Sequence, residues 1–346
     1  MRVAVVNKTP SHTKYAGLVC SELAGLGHDV RYLGDRPCGA GSFRAVRTRR
    51  PAGRNLARRA AWHGGDVLDR TRWDLRHADA VLDLHTHDAL WVLGPIARVR
   101  VVHRTWHYAL GHGHAQLRRD RLARLAERRV QLVAHTESAR RMLEEFLPAD
   151  AVSVTRLVGP ELAPRPERQP REVPQLLFVG DGRREKGLPA LLDAVRDLDV
   201  VVRHLGGEFH LEPPGERRVG RALVVREPPV DDAGLRRAYE ECDLVVCPYD
   251  PTRYRDVGSG SRVLAEALAY AAPVLLTPAL SDTVPPGYRG AIVSRSPTAV
   301  DLHATLAAAD FGALSRGAAL DAPAIAATAT PARYVRHLLD RLERTG

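Results

Sequence analysis

Short apolar runs alternate along this chain with stretches in which apolar residues recur at helical spacing. In the first half, we predict strands at Val3–Val6, Val30–Leu33, Ala80–Leu84, Val99–His103 and Gln131–Ala134, and helices at Tyr15–Leu26, Leu117–Arg128 and Ser138–Phe146. In the second half, we predict strands at Gln175–Gly180, Asp199–Leu205, Ala222–Arg226, Leu244–Cys247 and Val274–Thr277, and helices at Leu188–Arg196, Ser261–Tyr270, Pro331–Arg344 and from Asp232 onward. Regular alternation of this kind is typical of an α/β fold with parallel sheets.

A proline-rich stretch separates the two halves. Five prolines occur from Pro160 to Pro174, and proline interrupts both helices and strand ladders because it lacks an N–H group. We therefore predict an extended linker at 160–174 between a domain at 1–159 and a domain at 175–330. The length of 346 residues agrees with two domains of ordinary size.

The stretch from Asp243 to Thr277 carries the clearest chemical pattern. A buried strand is followed by a Gly/Ser loop, Gly258–Ser261, which leads into a helix and then into a second buried strand. The backbone N–H groups at the start of such a helix, with the Ser259 and Ser261 hydroxyls, are placed to bind an anion. Glu266 follows about one helical turn later. A phosphate site with a carboxylate one turn behind it suits a nucleotide, because the carboxylate can bind ribose hydroxyls.

This segment resembles the donor-site motif of retaining GT-B glycosyltransferases related to glycosyltransferase family 4. The family pattern is a strand ending in Pro, a Gly-containing loop, and then Glu-Ala-x-Ala-x-Gly-x-Pro-Val. The chain has Cys247-Pro248, the Gly258–Ser261 loop, and Glu266-Ala-Leu-Ala-Tyr-Ala-Ala-Pro-Val. Upstream, residues 176–195 resemble the family's Phe-Val-Gly-Arg-to-Glu-Lys-Gly segment, with Lys186 on the family's Lys. Two motifs in the right order are more specific than either alone.

The resemblance implies a glycosyltransferase of GT-B fold, in which two Rossmann-like doubly wound domains enclose an interdomain cleft. It implies an acceptor-binding domain at 1–159, a nucleotide-sugar-binding domain at 175–330, and a final helix at 331–346 that packs back on the N-terminal domain. The donor would be a nucleoside-diphosphate sugar, transferred with retention of configuration and without a cofactor or an essential metal.

The resemblance also assigns site residues in the C-terminal half. Lys186 would hold the donor phosphates and stabilise the leaving diphosphate, so we predict a catalytic role for it. The predicted donor-binding residues are Lys186, Arg183, Arg184, Gly258, Ser259, Gly260, Ser261, Arg262 and Glu266. Two positions depart from the family. Asp181 stands where the family has an Arg, and Gly258 stands where the family has a Glu that contacts the transferred sugar.

In the N-terminal half, the family places a sugar-contacting His after a central strand. His107 or His103 falls there, and we predict both as catalytic candidates, with a structural role as the equal alternative for each. The acceptor is expected near Asn7, His12 and Lys14, in the loop after the first strand. The family's paired glycines are missing from that loop.

The composition limits the classes of partner that the chain is expected to bind. The net charge is +10, yet lysine occurs only at positions 8, 14 and 186, so the Arg excess reflects a GC-rich genome more than selection for a polyanion. The cluster Arg44–Arg59 predicts either a solvated loop or a weak membrane-surface association. Aromatic residues make up 5% of the chain and do not alternate with basic ones, which disfavours nucleic acid. The composition does not predict the oligomeric state.

Cysteine usage and hydropathy point to the cytoplasm. The four cysteines lack metal-ligand spacing and are expected to be reduced thiols. No apolar run reaches the roughly 18 residues of a membrane span, and the N-terminus is predicted to be a strand rather than a signal peptide. We therefore expect a cytoplasmic protein.

Two alternative functions share the predicted fold. A nucleotide-sugar epimerase or hydrolase would turn over the donor without an acceptor. A catalytically degenerate pseudo-glycosyltransferase would bind nucleotide and transfer nothing, which would account for Gly258.

Overall fold

The computed structural model describes residues 1–7, 13–34, 37–39, 41–45, 77–84, 100–104, 123, 130–156, 171–180, 182, 184–206, 213–250 and 261–344. The chain forms two compact units. The first consists of Met1–Arg156 and Pro331–Gly346, and the second of Leu157–Thr330. The boundary therefore falls between Arg156 and Leu157, just before the proline-rich stretch. Most of that stretch, 157–170, lies outside the described residues.

The described part of the first unit contains a seven-stranded parallel sheet with the strand order β3-β2-β1-β4-β5-β6-β7. Its strands are β1 (Arg2–Asn7), β2 (Asp29–Gly34), β3 (Ser42–Ala45), β4 (Ala80–Asp83), β5 (Arg100–Arg104), β6 (Gln131–Ala134) and β7 (Val152–Val154). Helix α1 (Thr13–Gly25) follows β1, and α2 (Glu137–Glu144) follows β6. The five strands predicted in this half are confirmed. The helix predicted at Leu117–Arg128 lies outside the described residues, apart from Ala123.

Local sequence explains where these helices begin and end. Gly27, just after α1, has φ of 81°, a conformation that glycine adopts without steric cost. The predicted start signal of α2 is confirmed, because the Thr136 hydroxyl accepts a hydrogen bond from the Ala139 N–H at 3.1 Å. This contact satisfies one of the N–H groups that lack a partner within the first helical turn.

The prediction of a loop from Arg44 to Arg59 needs a correction at its start. Arg44 lies in strand β3, where it pairs with Leu33 of β2. The strand is short and polar, so its apolar pattern was too weak to predict it. The cluster from Arg47 onward lies outside the described residues.

The second unit contains a seven-stranded sheet among its described residues, in the order β10-β11-β9-β8-β12-β13-β14. Its strands are β8 (Gln175–Val179), β9 (Val201–Leu205), β10 (Gly215–Val219), β11 (Ala222–Glu227), β12 (Leu244–Cys247), β13 (Val274–Leu276) and β14 (Ala291–Val293). Pairing is parallel throughout except between β10 and β11, which form an antiparallel hairpin at one edge. All five strands predicted here are confirmed.

Five helices are described in this unit, together with short 3₁₀ turns. They are α3 (Leu188–Ala194), α4 (Asp232–Glu241), α5 (Arg262–Ala269), α6 (Ala299–Ala307) and α7 (Phe311–Thr328). No element was predicted over 278–330, yet this stretch forms β14, α6 and α7. Helix α7 is rich in Ala and contains Pro323, so its sequence lacks the apolar stripe that marks a surface helix.

The sheet of the second unit has a core on each face. On β12, Leu244 and Val246 join one buried cluster, whereas Val245 and Cys247 join the other. Successive side chains of a strand point to opposite faces, so a strand covered on both faces must be apolar at every position. This double burial is why β12 appears in the sequence as a continuous apolar run.

The last helix, α8 (Pro331–Glu343), belongs to the first unit. Its Tyr334 is 1% exposed, and the Tyr334 ring lies 5.4 Å from the Tyr15 ring and 6.2 Å from the His135 ring. The His337 Nε2 atom lies 3.0 Å from the Ser153 hydroxyl. The described helices include none that is long and apolar enough to cross a membrane.

Candidate functional site

The second unit reverses its strand order between β8 and β12. Strand β8 pairs with β9 on one side and with β12 on the other. The chain builds outward from β8 to β9 and later returns to build β12, β13 and β14 on the opposite side. In open α/β sheets, ligands bind outside the carboxyl ends of the strands at such a reversal, because adjacent connections leave the sheet in opposite directions there. A ligand site is therefore expected at the segments that follow β8 and β12.

Lys186 lies at this position. It ends a 3₁₀ turn, Arg184–Lys186, and its Nζ atom lies 2.8 Å from the point where a Cβ atom on Gly180 would stand. Gly180 directly follows β8 and has φ of 122°. Lys186 also acts on Cys247 at the end of β12: burial raises the pKa of the Cys247 thiol to about 12, and the Lys186 charge opposes that rise. The ammonium group therefore lies near the carboxyl ends of both central strands.

Hydrogen bonds to backbone carbonyls join the loops that follow three neighbouring strands. The Asp250 N–H donates to the Glu185 carbonyl at 3.0 Å, and the Thr277 hydroxyl donates to the Tyr249 carbonyl at 2.6 Å. Gly187 packs so closely on the Pro248 carbonyl that a side chain would not fit there. The turn that carries Lys186 is thus fixed against the segment after β12, and that segment is fixed against the end of β13.

His204 on β9 holds the peptide beneath Lys186. Its Nε2 atom lies 2.9 Å from the Gly180 carbonyl oxygen, and because a carbonyl oxygen only accepts, Nε2 must carry the hydrogen. The ring also packs edge-on against Phe178, with ring centres 5.3 Å apart. In the preceding peptide group, the Gly180 N–H donates to the Leu205 carbonyl at 2.8 Å. These two bonds fix the orientation of the glycine that Lys186 covers.

Helix α5 begins at the predicted anion site. Ser261 is its N-cap, and the Ser261 oxygen accepts a hydrogen bond from the Leu264 N–H at 3.3 Å. The oxygen is thus used within the helix, and the Ser261 hydroxyl can serve an anion only as a donor. The predicted Ser261–Tyr270 helix is confirmed, with one residue at each end acting as a cap.

Glu266 is held by two side chains. It is 5% exposed; its Oε1 accepts from Arg262 Nε at 2.8 Å, and its Oε2 accepts from the Tyr239 hydroxyl at 3.0 Å. Tyr239 is fully buried on α4, and burial, reinforced by the Glu266 charge, raises the pKa of its hydroxyl. Each carboxylate oxygen has a second lone pair, so this arrangement orients Glu266 while leaving acceptor capacity on both oxygens.

Arg262, predicted to bind phosphate, is therefore an ion-pair partner of Glu266 one turn along the same helix. The Glu266 charge and hydrogen bond raise the pKa of Arg262 against the opposing effect of burial. Arg184, also predicted to bind the donor, begins the 3₁₀ turn that ends at Lys186. The structure thus brings Lys186, Arg184, Ser261, Arg262 and Glu266 into the two segments that flank the strand reversal.

In the first unit, the loop expected from Asn7 to Lys14 is shorter than predicted. Asn7 is the last residue of β1, pairs with Gly34 and donates from Nδ2 to the buried Tyr32 hydroxyl at 3.0 Å. Lys14 lies in the first turn of α1, and His103 lies within β5, one residue before its end. The remaining predicted site residues lie outside the described residues: His12, His107, Arg183, Gly258, Ser259 and Gly260.

Two residues of this arrangement were missed by sequence reasoning. His204 carries a weak signal, as a polar residue next to Arg203 in a strand whose other residues are apolar. Tyr239 carries none, because its hydrogen-bonding partner lies 27 positions away. Among the described residues, no group of three or more His, Cys, Asp or Glu side chains is arranged to hold a metal ion.

One family model matches part of the chain. Residues 173–308 match the family model described as Glycosyl transferases group 1, and this segment includes every described site residue of the second unit. No curated protein sequence matches the chain significantly. The matched segment lies entirely within the second unit.

Solved structures resemble the whole chain. A glycosyltransferase from Rickettsia africae is 13% identical, with 99% of this chain and 98% of that one covered and a TM-score of 0.67. Anabaena HepE, in complex with UDP and glucose, is 16% identical over 100% of both chains, with a TM-score of 0.66. The lipopolysaccharide outer core galactosyltransferase WaaB is 12% identical over 100% of both chains, with a TM-score of 0.60. The predicted GT-B fold is confirmed.

Proposed function

We propose that this chain transfers a sugar from a nucleoside-diphosphate sugar, bound by the second unit, to an acceptor bound by the first. The observation that carries the proposal is the position of Lys186, whose ammonium lies over Gly180 at the carboxyl ends of β8 and β12. The match of residues 173–308 to group 1 glycosyltransferases supports it. The Anabaena relative of the same fold, crystallised with UDP and glucose, is consistent with it.

The donor diphosphate would lie between Lys186 and the start of α5. Lys186 supplies a point charge, and the first N–H groups of α5 would supply donors at a helix end where the dipole favours negative charge. Arg184, on the same turn as Lys186, is the second candidate cation. Glu266 would then accept hydrogen bonds from ribose hydroxyls through the acceptor capacity that Tyr239 and Arg262 leave open.

Sugar transfer releases a nucleoside diphosphate, so negative charge builds up on the leaving oxygen. Lys186 and the α5 N–H groups would stabilise that charge without a metal ion and without a cofactor. We propose retention of configuration, with the acceptor oxygen attacking the face from which the diphosphate departs. Such a reaction needs no nucleophile from the protein.

We propose that the first unit binds the acceptor. His12 and Lys14 are proposed to bind the acceptor, and His107 or His103 to contact the transferred sugar. The predicted acceptor residue Asn7 is not proposed again, because its side chain is fully buried. We further propose a cytoplasmic location and a weak, salt-sensitive association of the Arg44–Arg59 cluster with anionic membranes.

A thermal-shift screen tests the proposal. Purified protein is heated with UDP, GDP, ADP, CMP and dTDP, with the matching sugar nucleotides, and with the parent nucleosides as controls. A diphosphate at about 100 times its dissociation constant stabilises the protein by about 2.7 kcal/mol. We expect one base to stabilise the protein as the diphosphate and sugar diphosphate but weakly as the nucleoside. No stabilisation by any diphosphate would overturn the proposal.

Turnover of the selected sugar nucleotide separates the alternatives. A transferase consumes the donor quickly only when an acceptor is present, whereas a hydrolase or epimerase consumes it without one. A pseudo-glycosyltransferase binds the donor and consumes none under either condition. The pseudo-glycosyltransferase alternative is favoured by Gly258, which stands where the family has a Glu that contacts the transferred sugar.

A further inference from the structure

The first unit brings two cysteines together that are distant in sequence. Cys20 lies in α1 and is 0% exposed, and Cys38 lies in the segment after β2 and is half-buried. Both are free thiols. The nearby Cys38 side chain, together with burial, raises the pKa of the Cys20 thiol. The proposed sugar transfer uses neither residue.

The backbone around them is already in contact. A Cβ atom on Gly17 would lie 2.7 Å from the Cys38 carbonyl oxygen and 3.7 Å from the Cys38 Cβ atom. Gly17 is one helical turn before Cys20 on the same face of α1, and helical side chains lean toward the N-terminus of their helix. The Cys20 side chain therefore points toward the place where Cys38 packs. Glycine at position 17 is what allows Cys38 to approach the helix this closely.

We propose that Cys20 and Cys38 form a redox-active dithiol, which closes to a disulfide on reaction with a low-molecular-weight disulfide. The proposal rests on the packing of Cys38 against the face of α1 that carries Gly17 and Cys20, and it is independent of the glycosyltransferase assignment. Such a bond is expected to be transient in a reducing compartment, where disulfides of mesophilic proteins are usually catalytic or redox-sensing.

Exposure sets the order of the two steps. Cys38, the more exposed thiol, loses its proton and attacks the small disulfide, which forms a mixed disulfide and releases one small thiolate. Cys20 then loses its proton and attacks the Cys38 sulfur, which releases the second small thiolate. In total, the two protein thiols lose two electrons and two protons, and one small disulfide is reduced to two thiols.

Closing this bond constrains the unfolded chain between positions 20 and 38. A loop of roughly this size adds measurable stability, so we expect oxidation to raise the unfolding temperature of the first unit by on the order of 5 °C. The other two cysteines act as an internal control. Cys242 and Cys247 are 0% and 1% exposed in the second unit, and Cys242 donates to the Tyr239 carbonyl.

The full chain is incubated with oxidised glutathione, blocked with an alkylating reagent under denaturing conditions, and digested without reduction. We expect mass spectrometry to find one peptide pair joined through Cys20 and Cys38, two hydrogens lighter than its parts. Cys242 and Cys247 should be alkylated. The joined pair should disappear in Cys38→Ser and persist in Cys242→Ser. Glutathione should remain attached to Cys38 in Cys20→Ala.

Two results overturn the proposal. In the first, Cys20 and Cys38 are both alkylated after exposure to oxidised glutathione. In the second, glutathione remains on Cys38 of the unaltered chain and the bond to Cys20 does not form. Both results come from the unaltered chain, so neither depends on whether a variant folds.

Discussion

The Lys186 ammonium lies 2.8 Å from the point where a Cβ atom on Gly180 would stand. The absence of a side chain at position 180 therefore decides where the positive charge sits. His204 donates a hydrogen bond to the Gly180 carbonyl. The backbone beside the Lys186 ammonium is therefore held in place by the neighbouring strands β8 and β9.

Gly180→Ala should weaken binding of the nucleoside diphosphate about tenfold. The added methyl group displaces Lys186 Nζ and also strains a backbone with φ of 122°. Calorimetric titration of folded protein measures the change. Gly287→Ala is the matched control, because Gly287 also has positive φ, at 75°, but nothing lies within 4 Å of an added Cβ. An equal loss of affinity in both variants would contradict the proposed contact.

Tyr239→Phe should destabilise the second unit by about 1–2 kcal/mol, because Glu266 loses a buried hydrogen-bond donor. It should also weaken nucleoside binding, since the Glu266 carboxylate is then held by Arg262 alone. Chemical denaturation and titration with the nucleoside measure the two effects. Tyr288→Phe serves as the control, because it removes a buried hydroxyl bonded to the Ala272 carbonyl. That control should lower stability without changing nucleoside affinity.

His204→Phe should weaken diphosphate binding, because the Gly180 carbonyl loses its donor and the peptide under Lys186 is free to rotate. We expect about a tenfold increase in the dissociation constant. His303→Phe is the comparison, since His303 Nδ1 donates to the Ala194 carbonyl at 2.8 Å in the same unit. If His204→Phe loses stability to the same extent as His303→Phe and keeps full affinity, His204 has only a structural role.

The first unit should lose stability as the pH falls below neutrality. Burial, reinforced by the Arg341 and Arg344 charges, lowers the pKa of His337 from its ordinary value of 6.5, and Asp340 only partly opposes this. The unfolded chain binds this proton more readily than the folded one. The contribution of neutral His337 to the free energy of unfolding is therefore fully present above pH 6.5 and is lost as the pH falls below that value. Urea denaturation at about pH 7.5 and about pH 5.5 measures the difference in the free energy of unfolding between the two pH values. His337→Gln should reduce it, and an unchanged difference would rule out His337 as a cause.

Sequence patterns predicted the central strands of both sheets because each is a continuous apolar run. They failed at the edges. Strands β3 and β10 are short and polar, and β14 has three residues, so pairing with a neighbour, rather than local apolar content, makes them strands. Helices α6 and α7 follow the donor motif without a distinct apolar stripe, and tertiary packing forms them.

The candidate site was predictable only where its residues fall in a local motif. Lys186, Ser261 and Glu266 belong to two short patterns, and the structure places them at the strand reversal. The partners of Glu266 and Gly180 could not be found this way. Tyr239 and His204 come from other elements, and only the sheet order brings them close. The two cysteines show the same limit, because nothing in their spacing predicts the contact of Cys20 with Cys38.

The central claim is that Lys186 binds the diphosphate of a nucleotide. Calorimetric titration of the wild type and Lys186→Ala, each with the selected nucleoside diphosphate and with its nucleoside, tests it most directly. Arg196→Ala is the control for net charge, because Arg196 follows α3 at the end farthest from Lys186. We predict that Lys186→Ala weakens diphosphate binding by about 1.5–3 kcal/mol and leaves nucleoside binding unchanged. Equal diphosphate affinity in the wild type and Lys186→Ala would contradict the account.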